Sequence, residues 1–210
     1  MKKFILGKKI GMTQVFSEDG TVVPVTAVEA GPITVVQVKS NEQDGYCAVK
    51  VGFSEMKMNR TNKPMKGAFE KAGTEPKKFL REFRMEDADG FEVGKQFTVG
   101  EMFEEGTVID VSGTSKGKGY AGTVKRFKTQ RGRETHGSQY HRGPGSMGAN
   151  SSPSRVFKGK KLPGHMGTDT VTVQNLCVVK IINDKNILLV KGAVPGPKGG
   201  LLVIKEAVKG

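Results

Sequence analysis

The chain of 210 residues has no tryptophan and only two cysteines, Cys47 and Cys177, which lie 130 positions apart. Two isolated cysteines exclude a zinc finger and argue against a disulfide framework. Each lies among apolar neighbours, so we expect both to be small, buried core residues. Apolar runs stay well below the roughly 18 residues that a membrane-spanning helix requires. The first residues lack the long apolar segment and cleavage site of a signal peptide, so we expect a cytoplasmic protein.

Acidic and apolar residues are both scarce between Ser112 and His165. These 54 residues contain 12 Lys or Arg, a single acid, Glu134, and 11 of the 29 glycines. The stretch carries +11 of the formal net charge of +13, and only 10 of its residues are hydrophobic. It cannot bury enough apolar surface to form its own core. We therefore interpret 112–165 as an extended basic arm that is ordered by a polyanion, and nucleic acid is the obvious polyanion.

Outside the arm, short Val-rich segments alternate with turns that contain Gly, Asn and Asp. Many short antiparallel strands predict a mainly β fold, either a barrel or a sandwich. Because strands occur on both sides of the arm, we expect one sheet system from which the arm projects. The predicted strands are Phe4–Leu6, Met12–Phe16, Thr21–Glu29, Ile33–Lys39, Tyr46–Phe53, Phe79–Phe83, Gln96–Val99, Val108–Val111, Thr170–Ile182, Asn186–Lys191 and Leu201–Lys205.

Turns and one excursion divide this body. Gly7–Lys9 is predicted as a turn, and Ser17–Gly20 as the turn of a hairpin. From about 54 to 95 the chain becomes polar and basic, with a short helix predicted at Pro64–Ala72. The predicted organisation is therefore a β body at 1–111 and 166–210, a small mixed α/β excursion within it, and the arm at 112–165.

The base of the arm is rich in glycine and lysine. Glycines 117, 119 and 122 match the G-x-G-x-x-G string of dinucleotide-binding proteins, but no βαβ unit surrounds them. Glycine leaves backbone amides uncovered, while Lys116 and Lys118 supply positive charge. Close approach to phosphates is therefore favoured over a solvated flexible loop.

The histidines do not form a convincing chemical site. His136, His141 and His165 lack the cysteine or carboxylate partners of a zinc centre. A triad of Ser138, His141 and Glu134 can be drawn, but a flexible cationic loop gives it no scaffold. We predict no metal, no cofactor and no enzymatic activity, and we expect the histidines to bind phosphate or a 2′-hydroxyl group.

The arm also carries groups suited to RNA. Arginine binds phosphate in a bidentate manner, and Phe127 and Tyr140 can stack on unpaired bases. Val156, Phe157 and Leu162 are expected to anchor the base of the arm. The predicted RNA-binding residues are Lys8, Lys9, Lys116, Lys118, Lys125, Arg126, Lys128, Arg131, Arg133, His136, His141, Arg142, Arg155, Lys158, Lys160 and Lys161, and the predicted arm tip is Gly145, Ser146, Met147, Gly148, Ala149 and Asn150.

The motifs together resemble a known family, the bacterial form of the third protein of the large ribosomal subunit. The stretches that carry the resemblance are LGKKIGMTQVF, NKPMKGAF, VSGTSKGKGYAGTVKRF, THGSQYHRGPGSMG, RVFKGKKLPGHMG, VTVQNL and NILLVKGAVPG. The resemblance implies a closed β-barrel and an arm that runs between rRNA helices toward the peptidyl transferase centre. It also implies a structural protein that binds near the 3′ end of 23S rRNA, starts subunit assembly and contacts neighbouring ribosomal proteins.

One position departs from the family pattern. Some bacterial members carry a glutamine at the arm tip whose side-chain amide is methylated, and this sequence has Ala149 there. Alanine has no amide, so the modification is not expected here.

Two other functions stay open from the residues alone. The histidines could serve as acid and base in an RNA-processing enzyme, which would need a rigid pocket. The alternative to a ribosomal role is a non-specific basic protein that binds nucleic acid or acts as an RNA chaperone. Preference for duplex DNA over folded rRNA would favour that alternative.

Overall fold

The computed structural model describes residues 3–86, 88 and 90–209. The chain divides into two compact units, a body of Met1–Thr114 with Thr170–Gly210 and an arm unit of Ser115–Asp169. No helix in the described part of the chain is long and apolar enough to cross a membrane.

Six strands of the body form a closed antiparallel barrel, which confirms the mainly β prediction. The six strands are β1 (Phe4–Phe16), β2 (Val22–Ala30), β7 (Val108–Thr114), β10 (Thr170–Ile182), β11 (Ile187–Lys191) and β12 (Leu201–Glu206). Around the barrel the order is β1-β12-β7-β10-β11-β2, so strands from both sides of the arm join one sheet.

A second, four-stranded sheet of the body has the order β5-β4-β3-β6. Of these strands, β5 (Lys77–Arg84) lies within the excursion predicted at about 54–95, whereas β3 (Ile33–Lys39) and β4 (Ala48–Glu55) begin before it. The four strands are β3 (Ile33–Lys39), β4 (Ala48–Glu55), β5 (Lys77–Arg84) and β6 (Gln96–Phe97).

Short helices connect these strands. The predicted helix at Pro64–Ala72 is confirmed as α2, which has a proline in its first turn and buries Phe69. The predicted strand Gln96–Val99 is shorter in the structure, because β6 covers only its first two residues and a capping box between Thr98 and Glu101 begins α3 at Val99. The α-helices are α1 (Asn41–Asp44), α2 (Lys63–Lys71), α3 (Val99–Met102) and α4 (Thr123–Phe127), and 3-10 turns occupy Met58–Arg60 and Asn183–Lys185.

The first hairpin differs from the prediction in one respect. Gly7–Lys9 is not a turn, because β1 runs without a break and the irregularity is a β-bulge between Lys9 and Gly11. A bulge takes up one extra residue while the strand continues. The predicted turn at Ser17–Gly20 is confirmed by a hydrogen bond of 2.9 Å from the Gly20 amide to the Ser17 carbonyl oxygen.

One apolar core connects the barrel with the second sheet. Phe4 of β1 stacks on Phe83 of β5 with ring centroids 4.0 Å apart, and Phe91 lies on the same ring at 5.5 Å. Offset aromatic pairs of this kind stabilise a core beyond their buried area. The two sheets are therefore held together through β1.

The cysteines correct one expectation. Cys47 and Cys177 are free and only half-buried, not fully buried core residues. The Cys177 thiol lies within β10, 3.8 Å from the carbonyl oxygen of Gly106. For Cys177, apolar neighbours in sequence did not predict burial because β10 has few fully buried positions.

Candidate nucleic-acid interface

The base of the arm unit is a small two-stranded sheet. Strand β8 (Tyr120–Ala121) pairs antiparallel with β9 (Gly164–His165). Beyond the pair, the Lys118 amide donates to the Met166 carbonyl oxygen at 2.9 Å, and the Met166 amide donates to the Gly119 carbonyl oxygen at 3.0 Å. The glycine-rich segment after β7 and the segment that returns to β10 therefore run side by side.

Gly167 shows how closely these two segments approach. Its φ is +84°, and a Cβ built there would lie 2.3 Å from the carbonyl oxygen of Lys116. Both the positive φ and the close contact require glycine. Gly167 therefore has a structural role at the base of the arm unit.

Helix α4 places Arg126 across the base. The Arg126 Nη1 donates to the Leu162 carbonyl oxygen at 2.9 Å, and its guanidinium lies 5.0 Å from the centroid of Phe127. Helix α4 ends at Phe127 and is followed by Lys128, which has a left-handed backbone. Arg126, predicted only as a phosphate ligand, thus also joins the two segments of the arm unit.

The anchoring prediction is wrong for two of its three residues. Val156 is 49% exposed and Phe157 is 60% exposed, whereas Leu162 is half-buried. The Arg155 guanidinium lies 5.5 Å from the Phe157 ring centroid. The arm unit does not bury these side chains because too few apolar residues surround them.

The middle of the arm unit is held by short-range contacts. The Gly132 amide donates to the His141 carbonyl oxygen at 3.0 Å, and the His141 Nδ1 lies 3.1 Å from the Arg133 carbonyl oxygen. Arg131 forms an ion pair with Glu134. In the triad considered from the sequence, Glu134 and His141 therefore each contact another residue and not each other.

Tyr140 packs against glycine. Its hydroxyl oxygen accepts a hydrogen bond from the Gly145 amide, and a Cβ at Gly143 would lie 2.4 Å from the Tyr140 ring. The ring is still 50% exposed. One face of Tyr140 therefore stays available for stacking on a base.

The tip is narrow and fully exposed. The Ser146 hydroxyl donates to the Gly148 carbonyl oxygen at 3.1 Å and accepts from the Gly148 amide at 3.3 Å. A shallow hollow lies beside this turn. Its lining residues are Met147, Gly148, Ala149, Asn150, Ser154, Arg155 and Val156.

All predicted cations of the arm unit are exposed, together with His136 and His141. The unit has twelve Lys or Arg against two acids, and one of those acids, Glu134, is paired with Arg131. Positive charge therefore dominates its surface. The exposed cations are Lys116, Lys118, Lys125, Arg126, Lys128, Arg131, Arg133, Arg142, Arg155, Lys158, Lys160 and Lys161.

Lys8 and Lys9 belong to β1 of the body. The Lys8 Nζ donates to the Ser54 hydroxyl at 3.0 Å and lies 5.5 Å from the Phe53 ring centroid. The Lys9 Nζ donates to the Val194 carbonyl oxygen at 2.8 Å. Both ammonium groups therefore have hydrogen-bond acceptors within the body.

The structure adds two aromatic rings that the sequence analysis did not assign to stacking. Tyr120 is 78% exposed, and Phe157 is 60% exposed. Each ring follows a basic residue by two positions in sequence. An aromatic residue close to Lys or Arg, in an arm with few core residues, is the sequence pattern that could have indicated stacking. Among residues 3–86, 88 and 90–209, no three His, Cys, Asp or Glu side chains are grouped so as to hold a metal ion.

Comparisons with known proteins identify the family of this chain. The family model of ribosomal protein L3 matches residues 82–186. The chain is 62% identical over 209 residues to the large ribosomal subunit protein uL3 of Acetivibrio thermocellus, with 100% of this chain and 99% of that protein covered. It is 60% identical to the protein of the same name from Natranaerobius thermophilus, with the same coverage. The chain therefore belongs to the ribosomal protein L3 family.

Proposed function

We propose that this protein is a structural constituent of the large ribosomal subunit whose arm unit binds the large rRNA. The family is structural and not enzymatic, and its members belong to the ribosome, which is cytoplasmic in bacteria. The observation that carries the proposal is the set of twelve exposed Lys and Arg on a unit with two acids.

The arm cations supply most of the affinity by neutralising phosphates and releasing counterions. Lys116 and Lys118 contribute charge beside the two-stranded base, and the exposed rings of Tyr120 and Tyr140 stack on unpaired bases. Arg126 holds the base closed through its hydrogen bond to the Leu162 carbonyl oxygen. No step of this mechanism requires an acid, a base or a metal.

The finer proposal concerns where the protein binds and when. It binds near the 3′ end of 23S rRNA, starts assembly of the subunit, and sends the tip around Ser146–Asn150 toward the peptidyl transferase centre. Two features support this proposal. The tip has no side chain longer than that of Met147, and every residue in it is exposed, so it fits a crowded RNA groove.

A footprint on naked large-subunit rRNA tests the proposal. We expect the full-length protein to protect backbone positions near the 3′ end of 23S rRNA from hydroxyl radicals. A protein that lacks residues 125–158 should lose most of that protection. Uniform weak protection along the RNA, together with preference for duplex DNA in competition at fixed salt, would contradict specific binding and favour a non-specific basic protein or RNA chaperone.

A further inference from the structure

The β1–β2 hairpin extends beyond the barrel wall. β12 pairs with β1 only at Phe4–Lys8, and β11 pairs with β2 only at Val25–Glu29. Farther out, Met12–Phe16 and Val22–Thr26 pair with each other. We call residues 12–25 the ribbon. Within the described part of the chain, the outer halves of both ribbon strands have no neighbouring strand on their second edge.

One face of the ribbon is apolar and exposed. Phe16 lies directly opposite Val22, and Met12 lies four pairs farther along the same face, beyond the exposed pair of Gln14 and Pro24. The side chains of Phe16, Val22 and Met12 are 63%, 50% and 53% exposed, respectively. Single exposed apolar residues are ordinary on a protein surface, but a two-stranded ribbon with free edges and an apolar face has little stability of its own in water. An exposed and largely apolar face of this kind is typical of an interaction site.

The charge of the ribbon identifies the kind of partner. It lies within residues 10–38, the longest stretch of this chain without Lys or Arg, although the chain has 34 such residues. The ribbon loop carries two exposed acids, Glu18 and Asp19. The Lys198 side chain lies beside Gly11, which precedes the ribbon at its end next to the barrel. Two carboxylates and no cations repel phosphates, so the ribbon is unsuited to RNA and complementary to a positively charged surface.

We propose that the ribbon is a docking surface for a basic protein of the large subunit. The apolar face of Met12, Phe16 and Val22 packs on that protein, and Glu18 and Asp19 face its cations. The proposal rests on the proposed place of this chain in the subunit, but it is independent of how the arm unit binds rRNA.

Site-specific photocrosslinking tests the proposal in assembled large subunits. p-Benzoylphenylalanine is placed at Phe16 and, as a matched control, at Val208, which is 72% exposed and follows β12 near the start of β1. We expect Phe16 to give one main adduct, with a ribosomal protein of positive net charge. Charge reversal by Glu18→Lys with Asp19→Lys should lower its yield at least fivefold. An adduct with rRNA, an adduct with an acidic protein, or no adduct above the Val208 control would overturn the proposal.

A reconstitution experiment separates this surface from the arm unit. The double variant Phe16→Ser with Val22→Ser changes only exposed side chains, so the barrel should fold normally. We expect its affinity for naked 23S rRNA to stay within twofold of wild type, while occupancy of the crosslinked protein in reconstituted subunits falls at least tenfold. Unchanged occupancy, or a tenfold loss of rRNA affinity, would overturn the docking proposal. Failure of the arm unit to bind rRNA would instead contradict the proposed function.

Discussion

The guanidinium of Arg126 and the carbonyl oxygen of Leu162 are joined by a hydrogen bond of 2.9 Å across 36 positions of sequence. The contact lies beside the β8–β9 pair, where Gly164 leaves room for the guanidinium: a Cβ there would lie 2.8 Å from Arg126 Nη1. One arginine therefore connects the outgoing and returning segments of the arm unit.

Removing this contact should loosen the base of the arm unit. In the Arg126→Gln variant we expect the amides of Lys118 and Met166 to exchange hydrogen about two- to twelvefold faster, since one hydrogen bond contributes about 0.5–1.5 kcal/mol. Hydrogen exchange by NMR measures the effect in the free protein. Arg133→Gln, which removes the same charge from an exposed side chain, is the control and should leave both rates unchanged. Equal rates in the two variants would contradict the role of Arg126.

Gly167 gives a second test of the base. Gly167 and Gly159 have nearly the same φ, +84° and +80°, but only at Gly167 would a Cβ collide with backbone. Alanine at either position bears the left-handed backbone cost of about 1–2 kcal/mol. We expect Gly167→Ala to accelerate exchange of the Met166 amide at least tenfold and Gly159→Ala by less than threefold. Similar rates in the two variants would show that the base tolerates the extra methyl group.

The contact of Tyr46 with Lys39 and Glu82 makes the stability of the body depend on pH. The Tyr46 hydroxyl donates to Glu82 at 2.9 Å, and this hydrogen bond lowers the pKa of the Glu82 carboxyl, with a further contribution from Lys39. The same hydroxyl accepts from Lys39 and raises the pKa of its ammonium group, again with help from Glu82. The Glu82 contribution to stability is present above its unfolded-state pKa and disappears as the pH falls through the folded-state pKa. The Lys39 contribution is present below its unfolded-state pKa and disappears as the pH rises through the folded-state pKa.

Tyr46→Phe should therefore move both pKa values back toward their ordinary range. Carboxyl-carbon NMR titration of Glu82 measures the change directly, and we expect its pKa to rise in the variant. Tyr140→Phe, which removes a hydroxyl from the arm unit, is the control and should leave Glu82 unchanged. A Glu82 pKa that stays low in Tyr46→Phe would show that Lys39 alone stabilises the carboxylate.

The tip should position RNA without taking part in chemistry. A Cβ at Gly148 meets nothing within 4 Å in the protein, so Gly148→Trp should fold but slow subunit assembly or alter drug sensitivity through steric conflict with RNA. Gly148→Ala, with the same backbone strain and a small side chain, is its control. Ser146→Ala and Ser151→Ala should keep peptide-bond formation within about threefold, because a neutral hydrogen bond contributes only ~0.5–1.5 kcal/mol. A thousandfold loss from either serine in assembled subunits would contradict this account.

The strands were largely predictable because β-branched residues and turn residues alternate at strand spacing. Thr170–Ile182 was predicted with its observed bounds, and Ile33–Lys39 likewise. The break predicted at Gly7–Lys9 was wrong because a bulge continues β1 through residues that resemble a turn. The split into a barrel and a second sheet depends on which strands pair, and pairing is set by contacts distant in sequence, such as Phe4 on Phe83.

The charged character of the arm was visible in the sequence, but its internal contacts were not. Composition alone predicts exposed cations and an arm that RNA orders, and the second of these stays a prediction. The bond from Arg126 to Leu162 and the tight approach of Gly167 to Lys116 join residues that no local pattern connects. The hydrogen bonds of Lys8 and Lys9 within the body were not visible in the sequence either, and RNA binding by these two lysines stays a prediction.

The salt dependence of binding to naked 23S rRNA tests the central claim most directly. Three exposed arm lysines, Lys125, Lys128 and Lys158, are changed to Gln, and three exposed body lysines, Lys180, Lys185 and Lys191, are changed likewise as the control. Each phosphate contact contributes about 0.7–0.9 to the slope of log affinity against log salt. We predict that the arm variant flattens the slope by about two units while the control variant leaves it unchanged. Equal slopes for the arm variant and wild type would contradict phosphate binding by the arm.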